Sequence, residues 1–509
     1  MINYTPQDQL RLDLFKHPFE QSLDKENRWV KLASLIPWDS LAEVYSRHLS
    51  GNTGRKSVDI RTVIAALIIK HKLGLDDRGT IEMIQENIYL QYFCGLPGFT
   101  TRPVFDPSLF VDIRKRLGSE EFDKFNQLVI DKSEGLKPHQ SRIKKTGLDK
   151  DNEGSGSTPS PKNKGTLKVD ASVADQEITY PTDLKLLNEA RENLERLIDL
   201  LYIKESDKSK PRDYRRVARK TYLSVAKKKR KTKKEIRRGI KSQLQYVLRD
   251  IRIVDKQLIK PGREAILEKR DRELLATIRL VYAQQKYMYD NKTHQCQNRV
   301  VNLYQPHVRP MPRGKDKANV EFGAKINISE VNGFTRIDHL SWEAYNEGGD
   351  VKLQVENYKQ TYGRLPAWLL ADGIYLNREN RKFLKENDIK ICGKPLGRPP
   401  KHDKLTTAQK YRKKKKGAER NHVEGKFGQA KRGYGLNNIK ARLPETSESW
   451  INTIIFVMNL VKLLQVAEKY AGTFLSLFKT YWFLMKNNLI FVFGYPATIS
   501  YLKIEIKLD

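Results

Sequence analysis

Two stretches with strand-like alternation, TLKVDASVAD at 166–175 and NVEFGAKINIS at 319–329, are separated by a helical, heavily basic block from Leu184 to Tyr289. One sheet can hold both only if the chain leaves after the first strand and re-enters beside it, so the block must be an insertion. In the first stretch Leu167, Val169 and Ala171 alternate with Thr166, Lys168 and Asp170, which predicts a strand with Asp170 at its end. The block carries one apolar stripe at Leu187, Ala190, Leu194, Leu197 and Leu201, and a second at Ile240, Leu244, Val247, Ile251, Val254 and Leu258. Steps of four and three residues make the second stripe a heptad seam, predicting an inserted hairpin of two antiparallel helices. Beyond it, 319–329 and FTRIDHLSW at 334–342 are joined through Asn332-Gly333, a dipeptide suited to a two-residue hairpin turn. A helical stretch at 350–362, the apolar run AWLLAD ending at Asp372, a helix at 377–386 and a short strand at 389–392 follow. This is an α/β pattern, a mixed sheet with flanking helices. Such sheets gather ligands outside the carboxyl ends of their strands, where Asp170 and Asp372 are expected.

With 509 residues, three or four structural units are expected. Residues 1–130 read as an all-α N-terminal, DNA-binding domain. Ile60, Val63, Ile64, Leu67 and Ile68 mark one helix behind an Asp59 cap, Thr80 opens a second, and Asp106-Pro107 starts a third that closes at Gly118. Arg114, Lys115 and Arg116 ride on the third, either as the basic face of a helix-turn-helix or as the solvated face of a small bundle. Residues 131–165, rich in Gly, Ser, Pro, Asn and Lys, read as a flexible linker. The catalytic core is assigned to 166–183 and 316–440, the basic helical insertion to 184–315, and a helical, apolar C-terminal segment to 441–509.

The formal charge of +34 draws polyanions, and double-stranded DNA is the first partner to consider. Charge peaks between Arg212 and Lys241, where fifteen Lys and Arg face only Asp213 and Glu235. Lys227, Lys228, Lys229 and Arg230 are expected to clamp phosphates without reading sequence; a solvated arm is the alternative. Lys413 and Lys414 open a cationic run for which phosphate contact is also expected, whereas Gly397-Arg398-Pro399-Pro400-Lys401 reads as a connection. The three cysteines lack the spacing of a zinc site or disulfide framework, so a reducing cytoplasm fits. The opening MINYTPQDQLRLD has no apolar signal core, and polar residues interrupt the apolar stretch from Trp450 to Tyr495. Buried helices, and no membrane partner, are expected there.

Three carboxylates stand in positions that suit phosphodiester chemistry: Asp170, Asp372 and Glu424. Two hard divalent ions, Mg²⁺ or Mn²⁺, would need only such oxygen donors and waters to activate an attacking water and stabilise a departing 3′ oxygen. Glu424 lies in GAERNHVEGKFGQAKRGYG, where Val423, Phe427 and Ala430 would bury one helical face. Arg420 and Lys431 then project from nearly the same side as Glu424, suited to phosphates of the scissile strand. His422 reads as a DNA-positioning contact, and Asp175 and Glu177 as residues outside the ligand set.

The segments LKVDASVADQEITYPTD, LLADGIYLNRENRKFL and Arg420-x-x-x-Glu424 followed by Lys431 resemble the first, second and third acid segments of bacterial insertion-sequence DDE transposases, specifically the InsH-like group. The stretch from Lys56 to Leu117 is similar to the helical domain at the front of these proteins. One departure is Gly417, where the third signature opens on a Tyr. The resemblance implies an RNase H-like catalytic core, with the first acid on the first strand, the second after the fourth and the third on a following helix. It also implies binding of terminal inverted repeats, metal-dependent strand cleavage and strand transfer, and a homodimer on paired ends. An RNase H-like endonuclease without strand transfer, or an inactive DNA-binding derivative, is the competing expectation.

Overall fold

The computed structural model describes residues 3–4, 6, 23–49, 56–136, 163–315, 318–392 and 406–486. Most of the expected linker, the Gly397–Lys401 loop and the end of the apolar stretch lie outside the described residues.

The N-terminal unit is all helical: α1 (Arg28–Leu35), α2 (Trp38–Ser46), α3 (Ile60–Leu73), α4 (Asp77–Glu86), α5 (Ile88–Phe93), α6 (Leu109–Arg116) and α7 (Ser119–Gly135). Asp59 caps α3 by accepting from the Arg61 and Thr62 amides, and Gly74, at φ 69°, ends it in the left-handed region. The apolar face read from the sequence is buried throughout. Thr80 lies inside α4 because Asp76 supplies the cap. Gly118 precedes α7, a helix that local pattern did not reveal. The unit is a bundle whose core also takes Phe456, Val457, Leu460 and Leu463 from far along the chain.

The insertion holds four helices, α8 (Asp183–Leu201), α9 (Arg215–Ala226), α10 (Lys233–Leu258) and α11 (Lys269–Asp290), not the two of the expected hairpin. The heptad seam of α10 does meet the apolar stripe of α8. Leu274, Leu275, Ile278 and Val281 of α11 complete that core, because one helix cannot cover the flanks of a seam this long.

Six strands form one mixed sheet: β1 (Thr166–Asp175), β2 (Arg309–Lys315), β3 (Ala318–Val331), β4 (Phe334–Ser341), β5 (Trp368–Leu370) and β6 (Lys390–Ile391). Their order is β2-β3-β1-β5-β6, with β4 also on β3. β3 runs antiparallel to β1, whereas β5 is parallel to both β1 and β6. β2 and β4 share one edge of β3, β2 pairing with its first half and β4 with its second. Pro310 and Pro312 are tolerated in β2 because it is an edge strand. The β3–β4 turn is the expected one, with Asn332 at φ 54° and Gly333 at φ 92°.

Helices cover both sheet faces. Leu167 and Val169 pack with α12 (Val351–Tyr362) and α13 (Arg378–Glu386). Ala174, Ala324, Ile326 and Ile328 pack with α14 (Thr407–Gly433) and α15 (Pro444–Lys486). By strand alternation, Lys168 and Asp170 share the β1 face that looks toward α14. α15 is long and apolar enough to cross a membrane, but 72% of its apolar window is buried between the N-terminal bundle and the sheet.

Candidate catalytic site

β1 continues five residues past Asp170, because β3 pairs with it as far as Asp175. Asp170 therefore sits in mid-strand, opposite Ile328, rather than at the end expected from the sequence. On the other side, β5 pairs only with 166–168, in the register Lys168↔Leu370. Carried two residues further, that register sets Asp372 abreast of Asp170, where β5 has ended and the sheet opens. Asp372 starts the short helical turn Gly373–Tyr375 and accepts from the Gly373 amide at 2.6 Å. Tyr375, buried behind it, donates to Asn327 Oδ1 at 2.8 Å, tying this loop to β3 one residue from the position opposite Asp170.

Glu424 arrives on α14, which runs alongside β1 in the same direction. Lys416 reaches Thr166 Oγ1 (3.3 Å) at one end, and Lys431 reaches Asp175 (3.6 Å) at the other. Val423, Phe427 and Ala430 bury the core side of the helix, leaving Glu424 exposed and paired with Arg420 at 2.9 Å. Burial raises the Asp170 carboxyl to about 6, against the Ala171 amide hydrogen bond that favours ionisation. The charges of Glu424 and Asp372 push it the same way as burial, and Arg420 opposes them. Acids from two other segments of the chain thus act on Asp170, and carboxylate oxygens are the kind of donor a hard divalent ion prefers. Among the described residues, however, no three His, Cys, Asp or Glu side chains are close enough to hold one ion together.

The other expected contacts divide. Arg420 belongs to the acid cluster. Lys431 is held by Asp175 and Glu321 (3.5 Å), about 10 Å further along the helix than Glu424. His422 is exposed on the far side of α14, where it lines a separate cleft. Lys227, Lys228, Lys229 and Arg230 form the exposed tip between α9 and α10, with Lys228 paired to Glu235. Lys414 is exposed; the side chain of Lys413 lies outside the described residues.

Of the three basic residues of α6 only Lys115 is exposed. Arg114 is 5% exposed and gives two hydrogen bonds to Asp77, at 2.9 and 2.8 Å, beside Lys70 and the Trp450 ring. Arg116 donates to the Tyr45 hydroxyl at 3.2 Å. The expected DNA contact from Arg114 is therefore corrected: its charge is met by the partly buried carboxylate of Asp77 on α4. The residues missed from the sequence are Asp77 and Trp450, whose pairing with α6 depends on long-range packing and leaves no local pattern.

A family model described as "Transposase DDE domain" matches residues 369–461, a span that includes Asp372 and Glu424. A second, described as "Transposase domain (DUF772)", matches residues 17–116. The chain is also 27% identical over 184 residues to "Uncharacterized protein ORF8 in nfe locus" of Rhizobium meliloti, covering 36% of this chain and 79% of the relative. No solved structure matches. The two transposase domain models, in this order along the chain, indicate an insertion-sequence transposase of the DDE type.

Proposed function

We propose that the protein binds the terminal inverted repeats of its own element, hydrolyses the strands at their ends and joins the freed 3′ hydroxyls to target DNA. The observation that carries this is geometric: Asp170 lies in mid-β1, Asp372 abreast of it where β5 has ended, and Glu424 on α14 alongside β1, paired with Arg420. With β2 set aside as an added edge strand, the first acid lies on the first strand, the second after the fourth and the third on a following helix, which supports an RNase H-like core of InsH-like type.

In this reading Asp170, Asp372 and Glu424 would hold two Mg²⁺ or Mn²⁺ ions. Such ions, when bound, lower the pKa of the attacking water and stabilise the leaving oxygen. The chain's own residues do the rest. Arg420 releases Glu424 and turns to a phosphate of the scissile strand. Tyr375 and Asn327 hold the Asp372 loop against β3, so that the acids keep their spacing when DNA enters. The exposed tip at 227–230 and Lys414 of α14 grip duplex backbone by charge alone. Two ends must be handled together, for which a homodimer is the simplest assembly, working in the bacterial cytoplasm at the nucleoid.

The test is incubation of the purified protein and Mg²⁺ with a duplex carrying the element end, with nicks mapped on each strand, followed by a strand-transfer assay on pre-cut ends. Nicking and joining are expected. Nicking without joining of pre-cut ends would reduce the protein to an endonuclease, and binding without either would leave a DNA-binding derivative.

A further inference from the structure

α14 has a third face. The acid cluster lies on one side and the buried Val423, Phe427 and Ala430 on another; His422, Gly425, Lys426 and Gln429 lie roughly 100–200° around the helix from Glu424. They form one wall of a cleft of about 510 Å³, closed by Lys168 of β1, the β3–β4 turn and Lys462 and Gln465 of α15. That volume is in the range of ligand clefts.

Charge inside it is unbalanced. Lys168 Nζ donates to Glu330 Oε2 at 2.6 Å, and the Gly333 amide donates to the other oxygen, so the one carboxylate in the lining is already used. Among the described residues, no carboxylate lies within ion-pair distance of Lys426 or Lys462. The Lys462 side chain lies against Gly333, so close that a Cβ there would meet it. Three ammonium groups thus converge on one satisfied carboxylate, with His422 at the rim. No Phe, Tyr or Trp lines the cleft, which rules against base stacking as its mode of recognition.

We propose that this cleft binds the phosphodiester backbone of DNA on the side of α14 opposite the three acids, through Lys426 and Lys462 with Lys168 beneath them. The proposal rests on the reading of the protein as DNA-acting and adds to it a second binding track. One helix then touches DNA on two faces, carrying a catalytic carboxylate on one and gripping backbone phosphates on the other. Because Lys462 belongs to the helix that also completes the N-terminal core, DNA in the cleft would engage the catalytic core and α15 at once.

The experiment uses the full chain in EDTA with a labelled duplex of random sequence, its affinity followed across a salt titration. Lys426→Gln with Lys462→Gln should flatten the slope of log affinity against log salt by about 2, at roughly 0.9 for each phosphate no longer neutralised. Independently, Gln465→Lys should steepen it by about 0.9, a result that stands even if the double variant fails to fold. A photo-crosslinking residue at Gln429 should attach to the duplex. Wild-type slopes in both variants, with gel filtration and circular dichroism unchanged, would overturn the cleft while leaving the transposase reading intact. Failure of the wild-type protein to bind duplex even at low salt would sink both.

Discussion

Replacing Arg114 by Ala tests whether the basic end of α6 is a DNA surface or a structural joint. Arg114 is buried, gives Asp77 two hydrogen bonds, and lies with its guanidinium 5.5 Å from the centre of the Trp450 ring at the contact between the N-terminal bundle and α15. Removing one partner of a buried ion pair costs about 3–5 kcal/mol. The Asp77 side chain is 29% exposed and keeps Lys70 at 2.9 Å, so the cost falls to the bottom of that range or just below it, about 2–3 kcal/mol. Burial alone would raise the Asp77 carboxyl, but the Arg114 hydrogen bonds and the Lys70 charge outweigh it and hold the group below its ordinary value of 3.8. The pair's stabilisation is therefore complete above that value and is lost as pH falls through the lower, folded one. The deficit of Arg114→Ala should be largest near neutrality and shrink in acid. Denaturant unfolding of the full chain at several pH values measures it, and duplex binding across a salt titration supplies the second axis. Arg114→Ala should lose stability with an unchanged salt slope. Lys115→Gln, on the exposed side of the same helix, should keep its stability within about 0.5 kcal/mol and flatten the slope by roughly 0.9 if α6 touches DNA. An Arg114→Ala protein of wild-type stability with a flatter slope would refute the structural role.

Single replacement of Asp170, Asp372 or Glu424 by Ala should abolish strand cleavage and leave duplex binding nearly intact; near-wild-type nicking by any of the three would remove that residue from the site. Changing Lys227, Lys228, Lys229 and Arg230 to Gln should weaken binding to all duplexes alike and flatten the salt slope by about 3, because Lys228 is already shared with Glu235. A slope unaltered by that change would make the tip a solvated arm. Asp250 is fully buried in α10 without a hydrogen-bond partner among the described residues, and burial, with Glu195 and Asp213 nearby, pushes its carboxyl up to about 8. Between 3.8 and about 8 the folded protein binds the extra proton, so stability should fall as pH rises through that window. Asp250→Asn should remove the fall and stabilise the protein at pH 8 by a few kcal/mol, as read from urea unfolding; an equally steep fall in the variant would place its origin elsewhere.

What the sequence by itself determined about this protein is what local periodicity and turn chemistry control. The alternation around Val169 makes a strand, Asn332-Gly333 closes a hairpin because both residues adopt positive φ, Asp59 caps α3, and the heptad steps of α10 set which of its faces is buried. The proposal of three acids rests on the same kind of signal: each lies in a short segment whose residue types and spacing can be read without knowing its neighbours. Partnership was not legible. Arg114, Lys115 and Arg116 are equivalent as letters in a row, yet only folding brings Asp77 and Trp450 to the first and Tyr45 to the third, leaving the second in solvent. Lys431 reads as a phosphate contact on the Glu424 side of its helix, and only folding brings Asp175 and Glu321 to it. Asp170 was expected at the end of a strand, which runs on because β3 offers it hydrogen bonds as far as Asp175. The cleft behind α14 needs β1, the β3–β4 turn, α14 and α15 at once, elements up to 297 residues apart from Lys168 to Gln465. Backbone conformation is governed by neighbours in the chain, whereas burial and charge pairing are governed by neighbours in space, which only the tertiary structure decided.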